Sequence, residues 1–584
     1  MKQNQSIKKT MIQTCIVILS VIGLITCVAV LFPQVRHKIV DLAGQILNKD
    51  IIERQGWLKA LLGHALGGIC FILFFDYCTF TGSGRALVQK VLLEIKDCLS
   101  EIHFRSYVKP VLLMSGVYLL GIFTIIRANF LYYDDVWRSI EGSRNWYDWN
   151  RYVSEFTSIF IHGDTNLTDI SPLPQLLAVL LIAISSVLLV YIIADKKITT
   201  TGLLASIPLG LSPYFLGCLS FKFDAPYMSV SVLASIIPFL FIERRKAFLF
   251  ISIVSLFIMC MSYQAASGIY LLIVIFLGFR DWMSRKKTEK EILSFWGIAT
   301  LAFCFTMLAF RFFLMKPTTV DVPISSATHP LPHIISGLAL NIKNYAMMIN
   351  NDFGMIWKIC IGIIVVFFIT KSIFVTTRHK TLSFFVAIAV ICVSFILSYG
   401  VYLLLEKPLF EPRALYGFGV LISILSIYVV SDYKKIAKVI VLALSWCFLV
   451  FAFSYGNALA EQERYGEFRR SILFHDLSTL FPDRIEGIQI QLENSIAYAP
   501  SIKNISKHYP IIERLVPIRL GDNWDIYYLT YYHHSYHTTI RHLPPANTPF
   551  KNEDFRPLNL PVVLDSYYHT VKSDGNRVLV ILKH

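Results

Sequence analysis

Asp134 and Asp135 stand side by side in the stretch Asn129-Phe130-Leu131-Tyr132-Tyr133-Asp134-Asp135-Val136-Trp137-Arg138-Ser139, directly after an apolar run. Two like charges on consecutive residues repel, and one pKa rises if both share a site. A carboxylate poised in this way can act as a general base or help hold a divalent cation such as Mg or Mn. A single acid at a membrane edge reaches headgroups and water at little cost, so position alone marks nothing. The pairing is the sharper signal, and Arg138 follows it as a candidate substrate-binding cation.

Further polar residues occur where other apolar runs end. Phe221-Lys222-Phe223-Asp224-Ala225-Pro226 joins two runs; Lys222 could neutralise a phosphate and Asp224 could accept a hydroxyl. An interfacial ion pair is the competing reading. Tyr263-Gln264 breaks another apolar stretch, where Gln264 could bond a sugar or cap a helix end. In Leu409-Phe410-Glu411-Pro412-Arg413, the proline favours an extended residue before it, so a helix can start there. Arg413 at that start, beside free N–H groups, suits a phosphate. An arginine snorkelling to lipid headgroups is the alternative, and Arg311 and Lys316 carry the same ambiguity. The histidine-rich Tyr531-Tyr532-His533-His534-Ser535-Tyr536-His537 lacks a matching acid or cysteine spacing and reads as a surface or packing segment. His162-Gly163-Asp164 is too short to form a ligand set.

Apolar elements must position these groups. Of the 584 residues, 55% are hydrophobic and 16% charged, and the mean hydropathy is +0.57. Soluble domains carry roughly 25% charged residues. The net charge of +15 does not indicate nucleic acid, because Lys and Arg fall in short clusters between apolar runs, as topology signals do. The 11 cysteines lie in or beside the apolar runs, and none follows Cys447. They show no CxxC pair or metal-ligand spacing.

A helix needs about 20 apolar residues to cross the bilayer. Runs near 11–32, 57–77, 109–127, 173–194, 199–217, 225–242, 247–262, 264–279, 292–315, 354–375, 382–404, 413–431 and 436–456 predict about thirteen spans. The basic clusters place the N-terminus and alternate loops in the cytoplasm. Segments 128–172, 316–353 and everything after about 457 then lie outside. The fold class is mainly α: a polytopic helical membrane protein with a small α/β C-terminal domain. Its expected parts are 1–108, with two spans and a basic cytoplasmic loop, a membrane core 109–456, and a periplasmic domain 457–584. In the last part, Ile488-Gln489-Ile490-Gln491 and Arg577 to Leu582 read as strands and Ile502 to Leu515 as helical.

Taken together, Tyr132-Tyr133-Asp134-Asp135-Val136-Trp137-Arg138 with Gly142, Phe221-Lys222-Phe223-Asp224 with Pro226 and Met228, Ser262-Tyr263-Gln264-Ala265-Ala266, and Asn457 through Gln462 resemble the Gtr-type O-antigen glucosyltransferases of serotype conversion. The resemblance covers the chain from about residue 110; the two leading spans depart from it. It implies a C-type glycosyltransferase architecture in the bacterial inner membrane. The donor would be an undecaprenyl-phosphate hexose, glucose by the resemblance, and the acceptor a lipid-linked O-antigen sugar at the periplasmic face. A flippase and a donor synthase would be partners. In this setting Asp134 or Asp135 would be the base, and Lys222 and Arg413 would stabilise the departing lipid phosphate. Arg138, Asp224, Tyr263, Gln264 and Glu411 would contact substrate. A flippase for lipid-linked sugars, an O-antigen polymerase or ligase, and a phosphoethanolamine transferase are the rival classes. Transporters carry charges within spans or paired broken helices, whereas these spans are nearly free of acids.

Overall fold

The computed structural model describes residues 73, 76–315, 327–431, 435–482, 488–521, 540–542 and 554–584. The run 11–32, nearly all of 57–77, Lys316 and the segment 531–537 lie outside the described residues. The chain divides into two compact units. The smaller draws on the first 99 residues and on Cys304–Pro323. Its described part is helical, comprising most of the helix Gly82–Glu101 and the end of Glu289–Ala309, which passes into a π-turn, Phe310–Leu314, where Arg311 is exposed.

The larger unit holds the paired acids. Among the described residues, eight helices are long and apolar enough to cross a membrane, or nine if one bent pair counts as a single span. The expected run 199–217 is that pair: Thr200–Leu211 and Pro213–Leu219 meet at 65°. The break is local chemistry. Ser212 is extended (ψ 147°) before Pro213, as a residue preceding proline must be, and Pro213 has no N–H to continue the ladder. The runs 225–242 and 413–431 form shorter helices, Ala225–Phe241 and Gly417–Val430. Every residue of Gly417–Val430 is buried, which suits a helix apolar on all sides. Its 14 residues rise about 21 Å, short of the ~30 Å of hydrocarbon. The run 382–404 ends as a helix at Leu397, because Gly400 takes a left-handed φ of 62° and a 3₁₀ turn follows.

The last helix differs most from expectation. Instead of ending near 456, it runs unbroken over 46 residues, Lys435–Leu480. Beyond the apolar part, its buried positions Leu459, Gln462, Gly466, Arg469, Leu473 and Leu477 recur every three to four residues. That is the spacing of a helix with one packed face. The face covers a five-stranded sheet in the order β2-β1-β5-β4-β3, with β1 Gln489–Glu493, β2 Ile540–His542, β3 Val562–Asp565, β4 His569–Ser573 and β5 Arg577–Leu582. β1 runs parallel to β2 and β5, and the other pairs are antiparallel. Leu473, Phe474 and Leu477 pack with Ile490, Leu492, Val571, Val578 and Val580.

The same helix lies close against Phe104–Ala128. A Cβ on Gly456 would come within 2.3 Å of Thr124 Oγ1 and 2.6 Å of the Ile125 nitrogen. Small residues at membrane helix crossings permit this approach. Gly456→Val is expected to destabilise the chain by about 1–3 kcal/mol, read as a lower unfolding midpoint in detergent.

Candidate active site

The helix Phe104–Ala128 ends at Asn129, whose left-handed backbone (φ 49°) caps it through an N–H bond to the Ile126 carbonyl. Four residues on, Tyr133 is left-handed as well, at φ 46°. Non-glycine residues seldom adopt this region, and those that do concentrate at functional sites. The chain thus reverses twice before the short helix Asp135–Glu141 begins.

The two acids do different work. Asp135 is fully buried. Its Oδ2 accepts the N–H groups of Tyr132 (3.0 Å) and Lys222 (2.9 Å), and Oδ1 accepts that of Phe223 (3.3 Å). One carboxylate therefore joins the entry turn to the 221–224 segment. Burial pushes the Asp135 carboxyl up to about 8, while the Lys222 and Tyr132 N–H groups favour its anion. Asp134 is half-buried. Among the described residues, no direct hydrogen bond or ion pair engages its carboxylate. Burial raises its pKa above the usual carboxylate range, against the pull of Arg413 first and then of Arg138 and Arg151.

Arg413 sits in a 3₁₀ turn, Pro412–Ala414, just before the buried helix Gly417–Val430. Its guanidinium lies 5.5 Å from the Tyr133 ring centre and 5.4 Å from that of Phe221. Burial works against its charge, but Tyr263 and Asp134 outweigh that and hold it protonated more firmly than an ordinary arginine. Tyr263 donates its hydroxyl to the Arg413 carbonyl at 3.3 Å.

Asp224 anchors a second layer. Trp146 Nε1 donates to it, Arg138 Nε lies 3.4 Å from its Oδ2, and Arg151 Nη1 lies 3.9 Å from its Oδ1. Arg138 is sealed against Trp146 and Trp137, 4.0 and 4.8 Å from their ring centres. Arg151 covers the Tyr263 ring at 4.6 Å, and its Nε is buried with no hydrogen-bond partner among the described residues.

Asp134, Asp135, Arg138, Asp224, Tyr263 and Arg413 thus converge from four separate stretches of chain. Lys222 hydrogen-bonds to them through its backbone, and its charge favours the Asp135 anion. Its ammonium donates to Asn129 Oδ1 (2.7 Å) and pairs with Asp169 (2.8 Å), lining a separate cavity of about 50 Å³ with Gln175 and Ser220. Gln264 is half-buried at the start of the 3₁₀ turn Gln264–Ala266, and Glu411 is exposed at the rim. Among the described residues, no group of three His, Cys, Asp or Glu gathers as a metal-ligand set.

Sequence reasoning passed over Arg151, Trp146, Asn129 and Asp169. The aromatic run Trp146-Tyr147-Asp148-Trp149-Asn150-Arg151 was the available signal, since three aromatic rings in a connecting segment need something to pack on. Nor did it foresee how the C-terminal part reaches the site. Tyr132 donates its hydroxyl to the Leu515 carbonyl at 2.8 Å. Arg519 donates to the Leu131 carbonyl and lies 3.6 Å over the Phe130 ring.

Residues 123–424, just over half of the chain, match the family model for the glucosyl transferase GtrII. A protein of Salmonella phage P22, described as an uncharacterized 55.3 kDa protein in the gtrB 5′ region, is 22% identical over 423 residues. The alignment covers 70% of this chain and 86% of the phage protein. No solved structure is significantly similar to the chain. The family match begins inside the entry helix and runs past Arg413, so it contains every converging residue named above, and this chain belongs to the GtrII glucosyl transferase family.

Proposed function

We propose that the chain moves a hexose, glucose by its family, from undecaprenyl phosphate onto a lipid-linked O-antigen sugar at the periplasmic face of the inner membrane. The observation that carries this reading is Asp134: an acid without a direct partner among the described residues, set where a membrane-length helix ends and in the field of three arginines. A lipid-linked donor keeps its tail in the bilayer and presents its sugar at that height.

In the proposed step, an acceptor hydroxyl attacks the anomeric carbon while Asp134 takes its proton. The bond from that carbon to the phosphate oxygen breaks, and the electron pair leaves on the phosphate. Arg413 and Arg151 stabilise the departing anion. A single displacement inverts the sugar carbon. Asp135 acts by position, since its oxygens already serve three backbone donors. A donor synthase and a flippase would supply the substrate.

The test is transfer from labelled undecaprenyl-phosphate glucose to acceptor lipid by the purified chain in liposomes. Labelled product of inverted configuration supports the reading; movement of the donor across the bilayer without transfer overturns it. The base must be ionised to act. Rate is therefore expected to fall as pH drops through the Asp134 pKa, which burial raises. The acid limb of kcat/KM should lie above the ~3.9 of a free aspartate. A rate flat down to pH ~4 would remove Asp134 from the role.

A further inference from the structure

A cleft of about 340 Å³ opens beside Tyr133, between the acid-bearing turn and the C-terminal stretch 495–521. Its lining includes Glu411, Ser495, Tyr498, Glu513 and Arg514. It begins one residue from Asp134, and Tyr133 also carries Arg413 against its ring at 5.5 Å. Tyr133, left-handed in its backbone, thus touches both the Arg413 guanidinium and a cleft lined by two carboxylates and by Arg514, which is itself paired with Asp352.

The chemistry of the two sides separates their ligands. A lipid phosphate is drawn to the charges of Arg413 and Arg151 and repelled by Glu411 and Glu513. A neutral polyhydroxyl chain is the reverse case: carboxylates accept its hydroxyl donors, and the phenol rings of Tyr133 and Tyr498 offer faces to its C–H groups. The cleft's volume lies within the range of small-ligand sites, roughly 300–1,000 Å³. Its base is fixed. Arg514 pairs with buried Asp352 and donates to the Phe410 carbonyl, and Tyr214 donates to the same aspartate at 2.9 Å. The Tyr498 hydroxyl is held by the Glu513 carbonyl, which leaves the Glu513 side chain exposed.

We propose that this cleft is the acceptor subsite, in which Glu411 and Glu513 bind hydroxyl groups of the acceptor glycan and present one of them to Asp134. The inference rests on the transferase reading above and adds to it the place and class of the second substrate.

The test uses the full chain in nanodiscs, with lipid-free O-antigen oligosaccharide released from lipopolysaccharide as the probe. Both glutamates are exposed, so Glu411→Ala and Glu513→Ala should leave the fold intact. The double variant is expected to weaken oligosaccharide binding and raise acceptor KM by about tenfold or more. Because the Glu411 charge also acts on Arg413, the donor side is read in Glu513→Ala alone, where donor KM should stay unchanged. Unaltered oligosaccharide binding, or a raised donor KM with acceptor KM unmoved, overturns the proposal. Binding is read without turnover, so the two ideas fail separately. If Asp134→Asn stays active while the double variant loses oligosaccharide, the base assignment falls and the cleft stands.

Discussion

Replacing Asp134 with asparagine is expected to lower kcat by about 10²–10⁴-fold, the contribution typical of a positioned general base. The amide keeps the shape of the side chain and cannot take a proton. Because no direct partner engages the carboxylate among the described residues, the fold should not notice the change. Asp135→Asn should behave in the opposite way. One of its oxygens becomes an NH₂ facing backbone N–H groups that now donate to both oxygens. Leaving a buried donor unsatisfied costs about 1–3 kcal/mol, so the unfolding midpoint should drop, and activity should fall only as far as the turn is misplaced. Measuring kcat and thermal unfolding on both variants separates the roles. Equal losses of activity at unchanged stability would mean that the neighbours share one function after all.

The second large effect is expected at Arg413. Its guanidinium is packed between Tyr133 and Phe221 and faces Asp134 electrostatically. Removing a preorganised charge that stabilises a leaving anion costs roughly 10²–10³-fold in kcat. Arg413→Lys should recover only part of this, because an ammonium has neither the planar fork nor the stacking surface. Lys222→Gln should be milder toward the leaving group, since that ammonium is engaged by Asp169 and Asn129. Single-turnover rates with a bound donor give the comparison; a larger loss at Lys222 than at Arg413 would reverse the assignment of the phosphate.

Much of this arrangement was legible in the amino-acid order. The paired acids after an apolar run, the aromatic-flanked Lys222 and the proline before Arg413 each marked a helix end, and helix ends are where the site is built. Local patterning could not say which way a side chain turns at such an end. Asp134 and Asp135 are chemically identical as letters; after the left-handed Tyr133, one is half-buried and the other wholly buried. Lys222 read as a phosphate ligand because its partner Asp169 lies 53 residues earlier, beyond the reach of any local pattern. The final helix was cut short because hydropathy falls after residue 456, although the three-to-four-residue spacing of its packed positions continues. Hydropathy measures the solvent around a helix, and its hydrogen bonding is indifferent to that change.

That helix has a consequence of its own. From Lys435 to Leu480 it is one uninterrupted rod, and no proline occurs in it. The C-terminal sheet therefore has a fixed azimuth about the rod's axis. One residue inserted after Asn457 would turn everything beyond it by about 100° and raise it by about 1.5 Å. Gln462, which accepts the Ala499 N–H, and Arg469, which holds the Tyr568 and Lys583 carbonyls, would then swing to another bearing. Rotational phase, carried out of the lipid along a single axis, sets which residues of the C-terminal part meet the turn before the acids.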